Sequence, residues 1–189
     1  MAGEDGDACE RRVRAGRGWF GVSRDTFLAI ASKRDTRSYS DRPVPPEVER
    51  RILEAGRVAG SARNRQPWRF VVVESRERRE RLAQAVYVAE NIRGARLVVA
   101  IVGPAGLDAG RCAQNMMLAA WSEGVASCPN GIADPAAAVE ALGLEEEESA
   151  AAVLGFGYPA RGGDPERRSA DEWLARADRK PLDELVSRV

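Results

Sequence analysis

The chain has 189 residues, of which 44% are hydrophobic and 31% are charged, and these values are typical of a single globular domain. Its 29 basic residues balance its 29 acidic residues, so the net charge gives no reason to expect nucleic acid or a membrane surface as a partner. No apolar run approaches the ~20 residues that a membrane-spanning helix needs. The sequence contains no histidine, which excludes histidine bases, Ser-His triads and histidine metal sites. An enzyme with this composition would take its reactivity from a cofactor.

Residues 1–22 are rich in glycine, arginine and acidic residues without a clear period, which predicts a mobile extension ahead of a single domain over 23–189. The polar, acidic start is not that of a signal peptide. The three cysteines, Cys9, Cys112 and Cys128, fit neither a disulfide framework nor a zinc site. A reduced, cytoplasmic protein is the simplest interpretation.

The first half of the domain predicts two helices and then a strand. Ser23 is a candidate N-cap for a helix over 26–34, and a proline-rich segment opens a second helix over 47–59 with a buried apolar stripe. A polar loop over 60–66 leads into a strand over 68–74. Because residues 70–73 are apolar on both faces, this strand is predicted to be central in its sheet.

The second half adds further helices and two or three more strands. Ser75 caps a charged helix, and a second buried strand covers 97–102. The remaining predicted elements are, in chain order, a long central helix over 109–123, a loop or short strand over 125–129, a helix that starts at Asp134 and Pro135 and runs through Leu142, a strand over 150–156, a short helix capped by Ser169, and a helical turn over 182–186. Two helices precede the first strand and no glycine-rich loop follows it, so the order favours an α+β fold over a doubly wound sheet.

A cluster of cations follows the first helix, in the run Lys33-Arg34-Asp35-Thr36-Arg37. Three cations in five residues, where the chain becomes extended, can converge on one dianionic phosphate, since arginine offers a planar fork for two phosphate oxygens. A solvated basic helix end explains the same residues, and the segment alone favours that simpler interpretation.

Two loops and the C-terminal segment hold the other candidates. The amides of Asn64 and Gln66 match the alternating donors and acceptors on the edge of a flavin ring, and backbone N–H groups after Ser127 could donate to the same ring. Cys128 is expected to line the site rather than act as a nucleophile, because no histidine is present to activate it. Considered alone, each loop is an ordinary turn, and Arg179 belongs to a plain charged tail.

Four sequence motifs, which include these segments, follow one another in a fixed order along the chain. The cluster at 33–37 is followed by Ser61-Ala62-Arg63-Asn64-Arg65-Gln66-Pro67-Trp68, then by Leu154-Gly155-Phe156-Gly157-Tyr158-Pro159, and last by Arg179-Lys180-Pro181-Leu182. Together the motifs resemble the nitroreductase family of FMN-dependent oxidoreductases. The resemblance runs from about Phe27 to the C-terminus.

The resemblance implies an α+β nitroreductase-type fold, a central and mainly antiparallel sheet flanked by helices, in an intertwined homodimer with FMN at its interface. It implies hydride transfer from NAD(P)H through flavin N5 to a small electron acceptor, nitroaromatic or quinone-like, in a ping-pong scheme without a catalytic side chain. The residues that it implies are Lys33, Arg34, Asp35 and Arg37 at the phosphate and ribityl chain, Arg179 at the same phosphate, Ser61, Asn64 and Gln66 reaching across from the other subunit, Ser127, Cys128, Pro129 and Asn130 along the ring, and Asn91 at its N1–O2 edge.

Three residues depart from the family pattern. Lys33 replaces the usual first arginine, Gly60 replaces a proline, and Asp35 stands where serine is commoner. Asp35 is therefore expected to orient an arginine or to receive a ribityl hydroxyl. Aspartate at this place also occurs in family members that fragment flavin to dimethylbenzimidazole, so that activity is an alternative. A non-catalytic flavin- or deazaflavin-binding homologue is another.

Overall fold

The computed structural model describes residues 26–162 and 164–189, and the extension predicted over 1–22 lies outside them. In these ranges eight α-helices and four β-strands form an α+β domain, as predicted. The helices are α1 (Thr26–Ser32), α2 (Pro46–Arg57), α3 (Arg76–Gln84), α4 (Ala89–Gly94), α5 (Leu107–Ser122), α6 (Pro135–Leu142), α7 (Ala170–Ala175) and α8 (Leu182–Leu185). The strands are β1 (Arg69–Val72), β2 (Leu97–Val102), β3 (Ala126–Asn130) and β4 (Ala150–Gly157), and short 3-10 turns cover Ala62–Asn64 and Pro165–Arg167.

The four strands form one antiparallel sheet in the order β1-β2-β4-β3. Strands β2 and β4 are central, with Val99 opposite Leu154. The prediction that β1 is central was wrong, since it forms an edge of the sheet. Its apolar character has another cause: Phe70 packs in the core on one face and Val71 in the core on the other, so even this edge strand has helices on both faces.

Each face of the sheet carries its own core. Helices α2 and α5 cover one face, where Ile52 and Met116 pack with Leu154. Helices α3, α4 and α6 cover the other face around Val98 and Val153. Two apolar cores on a small sheet supply the buried area that stabilises the domain.

Several helix ends are set by the caps that the sequence predicted. The Ser75 hydroxyl and the Asp134 carboxylate accept from backbone N–H groups of α3 and α6 at 3.3 and 3.0 Å. Ser169 and Glu172 form a reciprocal capping box at α7, and Gly143 ends α6 in the left-handed region at φ 64°. These caps fix where α3, α6 and α7 begin and where α6 ends.

Candidate functional site

The cation cluster lies directly beside strand β3. After α1 the chain becomes extended, and Asp35 forms a parallel bridge with Ser127. The Thr36 backbone N–H donates to the Ser127 carbonyl at 3.1 Å. Two of the predicted site segments, 33–37 and 127–130, are therefore adjacent in space although they are distant in sequence.

The extended backbone divides the cluster between two sides, because successive side chains on such a segment point in opposite directions. Lys33, Asp35 and Arg37 share one side. The Lys33 ammonium pairs with the Asp35 carboxylate and lies 3.6 Å from Met117 Sδ, while the charge of Arg37 is close enough to act on the pKa of the Cys128 thiol. Only 9% of the Lys33 side chain is exposed, against 47% for Asp35, so the lysine is largely buried between Asp35 and α5.

Arg34 points to the opposite side of the segment. Its guanidinium donates to the carbonyls of Ala31 at 2.6 Å and of Trp173 at 3.2 Å, and it lies 5.3 Å from the centre of the Trp173 ring. Arg34 and Thr36 line a separate cavity between α1 and α7. The structure thus brings Lys33 and Arg37 together and leaves Arg34 apart from them.

Strand β3 carries polar atoms that are buried without protein partners. Ser127 Oγ and both polar atoms of the Asn130 amide have no hydrogen-bond partner among residues 26–162 and 164–189. Buried polar groups are normally satisfied, so such atoms mark a place where another group could bind. Pro129 lies exposed between them, and a proline is tolerated here because β3 is an edge strand.

Cys128 has the environment of a lining residue. Burial raises the pKa of its thiol, and the nearby Arg37 opposes that shift. The thiol therefore stays protonated at neutral pH and is a poor nucleophile.

Asn91 lies beneath the site and is fully buried. Its Oδ1 accepts from the Tyr39 hydroxyl at 2.7 Å, and its Nδ2 donates to the Cys128 carbonyl at 3.0 Å. Burial raises the pKa of Tyr39, so this phenol remains a neutral donor. These contacts give Asn91 a structural task, which is to hold β3 and the segment after the cation cluster in register. Its role at a flavin ring edge stays a prediction that the contacts do not favour.

Two glycines of the third motif make room for this network. A Cβ on Gly155 would lie 3.1 Å from Asn91 Oδ1, and a Cβ on Gly157 would lie 2.9 Å from three atoms of Tyr39. Beyond β4, Ser40 N donates to the Tyr158 carbonyl at 2.8 Å. The sequence revealed the Gly-Phe-Gly pattern but not its purpose, and Tyr39 was not predicted as a site residue.

The loop of the second motif has a strained backbone and is stabilised by hydrogen bonds within the loop. Arg63, Asn64 and Gln66 have positive φ angles of 54°, 54° and 50°, and such strain in non-glycine residues often accompanies function. The Gln66 backbone N–H donates to Ser61 Oγ at 2.9 Å, and its side-chain amide donates to Asn64 Oδ1 at 3.2 Å. Ser61, Asn64 and Gln66 are thus brought together as predicted neighbours on one loop.

This loop lies at the opposite end of α5 from the cation cluster. Ala62 N donates to Asp108 Oδ2 at 3.1 Å near the start of the helix, whereas Lys33 contacts Met117 near its end. Met117 follows Asp108 by nine positions in the helix, which corresponds to roughly 14 Å along the helix axis. Helix α5 begins at Leu107 rather than at the predicted residue 109. Asp108 therefore lies in the first turn of the helix, where its carboxylate accepts a hydrogen bond from the loop.

Arg179 lies in the exposed connection between α7 and α8. Its guanidinium donates to the carbonyls of Ala177 at 3.0 Å and Asp178 at 3.2 Å, within its own segment. Its return to a phosphate beside the cation cluster stays a prediction. No cluster of acidic or cysteine side chains able to hold a metal occurs among the described residues, and none of their helices is long and apolar enough to cross a membrane.

Comparisons with known proteins agree with this architecture. A protein of Methanothermobacter thermautotrophicus, provisionally named NADH dehydrogenase/NAD(P)H nitroreductase, is 28% identical over 168 residues, which cover 79% of this chain and 88% of that protein. A provisionally named nitroreductase from Desulfovibrio desulfuricans, solved in complex with FMN, superposes with a TM-score of 0.73 at 30% identity and covers 88% of this chain and 98% of that one. The NADPH:FMN oxidoreductase from Vibrio harveyi, solved with NAD+, shares the fold with a TM-score of 0.71 at 23% identity, over 85% of this chain and 75% of that one. The model of the Nitroreductase family matches residues 30–104 and 105–158, and the chain therefore belongs to the nitroreductase family.

Proposed function

We propose that the chain is an FMN-dependent NAD(P)H oxidoreductase of nitroreductase type that acts on a small nitroaromatic or quinone-like acceptor. FMN would supply the redox chemistry, taking a hydride from NAD(P)H at N5 and passing electrons to the acceptor in a ping-pong sequence. The FMN complex of the Desulfovibrio relative supports this cofactor. The observation that carries the proposal is the placement of Lys33 and Arg37 on one side of an extended segment whose Asp35 bridges to Ser127 on β3.

The residues present fit a flavin mononucleotide. Lys33 and Arg37 bring two cations to one side of the segment against the single carboxylate of Asp35, which suits a phosphate dianion. The unpartnered Ser127 hydroxyl and Asn130 amide offer donors and acceptors for polar ring or ribityl atoms.

Each of these side chains has a defined task in the proposal. Lys33 and Arg37 bind the phosphate, and Asp35 orients the Lys33 ammonium, where the sequence had suggested an arginine. The stretch from Ser127 to Asn130 lines the ring, with Cys128 contributing shape as a protonated thiol. Because the flavin would carry the redox chemistry, the part of the chain in the proposal is to position the reactants and exclude water.

A homodimer explains the position of the loop over 61–66. Within one chain the loop and the cation cluster lie at opposite ends of α5. In the proposal the loop of one subunit contacts the flavin site of the other subunit. The loop and the cation cluster of the same chain then need not meet.

The C-terminal segment supplies apolar surface for that dimer. Residues 178–189 are exposed throughout, and their four large apolar side chains lie open, namely Leu182, Leu185, Val186 and Val189. Several exposed apolar side chains close together on a surface often mark a protein–protein interaction site.

The colour of the purified chain tests the cofactor and the activity. We expect yellow protein, or protein that takes up added FMN, whose flavin absorbance bleaches with NADH or NADPH under nitrogen and returns when a quinone is added. Colourless protein that takes up no FMN contradicts the proposal. Oxygen-dependent loss of flavin with dimethylbenzimidazole in the mass spectrum supports fragmentation instead.

Truncation tests the dimer. A variant that ends at Lys180 is expected to have half the wild-type mass by light scattering, because it lacks the exposed apolar side chains. The matched control Glu184→Gln keeps them and is expected to remain dimeric. A truncated variant with the full dimer mass would exclude the C-terminal segment from the interface.

A further inference from the structure

A second pocket lies on the side of the cation cluster that faces away from the proposed flavin site. It is lined by residues at the end of α1, at the end of α5, in the stretches 159–161 and 164–168, and on α7, and we call it the arginine pocket. Its volume is about 200 Å³. This volume is below the ~300–1,000 Å³ of ordinary ligand pockets, which suits a small molecule of about one ring.

The lining of this pocket is strongly positive. Four arginines line it, Arg34, Arg161, Arg167 and Arg168, against the single carboxylate of Asp164. None of these four forms an ion pair with an acidic side chain in the part of the chain that the structure describes. Asp164 itself accepts from the Glu166 backbone N–H at 2.9 Å. Guanidinium groups without carboxylate partners, gathered around one cavity, attract a carboxylate or phosphate.

Part of this charge is already held in place. Arg34 and Arg168 lie 5.3 and 5.0 Å from the centre of the Trp173 ring, and Arg34 also donates to the Trp173 carbonyl. Arg161 and Arg167 are exposed at the rim. Fixed charges lower the ordering cost of binding, while the rim residues can close on a ligand.

The rest of the lining is flat and apolar. The indole N–H of Trp121 donates to Ser32 Oγ at 3.0 Å, and that of Trp173 donates to the Pro165 carbonyl at 2.8 Å. Because both indoles have their polar atom paired, they contribute ring atoms to the lining alongside Pro159, and the guanidinium groups of Arg34 and Arg168 lie over the Trp173 ring. Ring surface favours a planar, apolar body on the ligand.

From this combination we propose that the arginine pocket binds a small aromatic carboxylate, separately from the flavin. The ring would lie among the indoles and prolines, and the carboxylate would meet the guanidinium groups at the rim. The pocket shares the segment over 33–37 with the flavin site, but the side chains that face it are Arg34 and Thr36 rather than Lys33 and Arg37.

Indole signals in NMR spectra of the full chain, loaded with FMN, test the proposal with benzoate as the probe. We expect benzoate to shift the indole signals of Trp121 and Trp173, assigned with Trp121→Phe and Trp173→Phe, and to leave that of Trp68 in place. Shifts confined to Trp68, or no shift at all, overturn it. The same titration on flavin-free protein distinguishes a failure of this pocket from a failure of the proposed flavin function.

Matched ligands and variants separate charge from shape. We expect Arg161→Ala and Arg167→Ala each to weaken benzoate binding about tenfold, as the loss of a charge-assisted contact requires, while Arg50→Ala, which removes an exposed arginine on α2, changes nothing. Benzamide, the neutral isostere, is expected to bind at least ten times more weakly than benzoate. Equal binding of benzamide, equal binding of inorganic phosphate, or unchanged affinity in both rim variants overturns the proposal.

Discussion

Removing the Asn91 amide is expected to destabilise the protein even when no flavin is bound. The side chain is fully buried and joins the Tyr39 hydroxyl at 2.7 Å to the Cys128 carbonyl at 3.0 Å. In Asn91→Ala the Tyr39 hydroxyl keeps only the Gly155 carbonyl at 3.2 Å, and the Cys128 carbonyl loses the Asn91 amide as a donor. The lost hydrogen bonds and the cavity left by a fully buried side chain cost about 2–4 kcal/mol of unfolding free energy.

Thermal unfolding of the flavin-free protein, at one fixed concentration, measures this cost. A loss of 2–4 kcal/mol lowers Tm by roughly 4–16 °C in a chain of this length. Asn115→Ala is the matched control, because it removes a helix amide with a single 3.3 Å hydrogen bond to Ala55, and it should cost about 1 kcal/mol or less. Should Asn91→Ala keep the wild-type Tm while FMN affinity falls, Asn91 contacts the ring and the structural role is refuted.

Two further predictions concern the titration of side chains on this chain. A bidentate contact with Arg69 lowers the pKa of Glu148 from 4.5 to about 2, so the contact stabilises the fold fully above pH 4.5 and loses that effect as the pH falls toward 2. Glu148→Gln should therefore flatten the fall in urea midpoint between pH 4.5 and 2, and an unchanged slope would count against the contact. Burial raises the pKa of Cys112 to about 11 and also raises that of Cys128. In a Cys9→Ser background neither thiol should react with Ellman's reagent at pH 8 until the protein unfolds, and rapid reaction of one thiol in the folded state would contradict the burial.

Local sequence signals predicted the elements of this fold well. Strand β2 has the predicted bounds, because a run of six apolar residues is typical of a buried strand. Helix α6 also has its predicted bounds, with Asp134 as its N-cap and Gly143 directly after its last residue. Helix α4 was not predicted, since six residues ending in glycine carry no visible period. The edge position of β1 was not predicted. An apolar run indicates that both faces of a strand are covered, but it does not indicate how many strands lie next to it.

The sequence pointed to the segments 33–37 and 127–130, which the structure places side by side, but it did not reveal the direction in which each side chain faces. Charge counting placed three cations near one phosphate, yet an extended backbone sends Arg34 to the side opposite Lys33 and Arg37. The side that each residue faces depends on the bridge between Asp35 and Ser127, which is a contact across the fold that no local pattern encodes. The role of Asn91 at the ring stays a prediction, and its sequence position does not reveal the hydrogen bonds that its amide makes with Tyr39 and the Cys128 carbonyl.

FMN titrations of Arg37→Ala and Arg34→Ala, followed by flavin fluorescence well below the unfolding temperature, test the central claim most directly. Loss of one charge-assisted phosphate contact should weaken binding by about 10- to 150-fold in Arg37→Ala. Arg34→Ala should bind FMN within about twofold of the wild type, because its guanidinium serves α1 and Trp173 on the other side of the segment. Equal losses in the two variants, or a loss in Arg34→Ala alone, would contradict the assignment of the phosphate to Lys33 and Arg37.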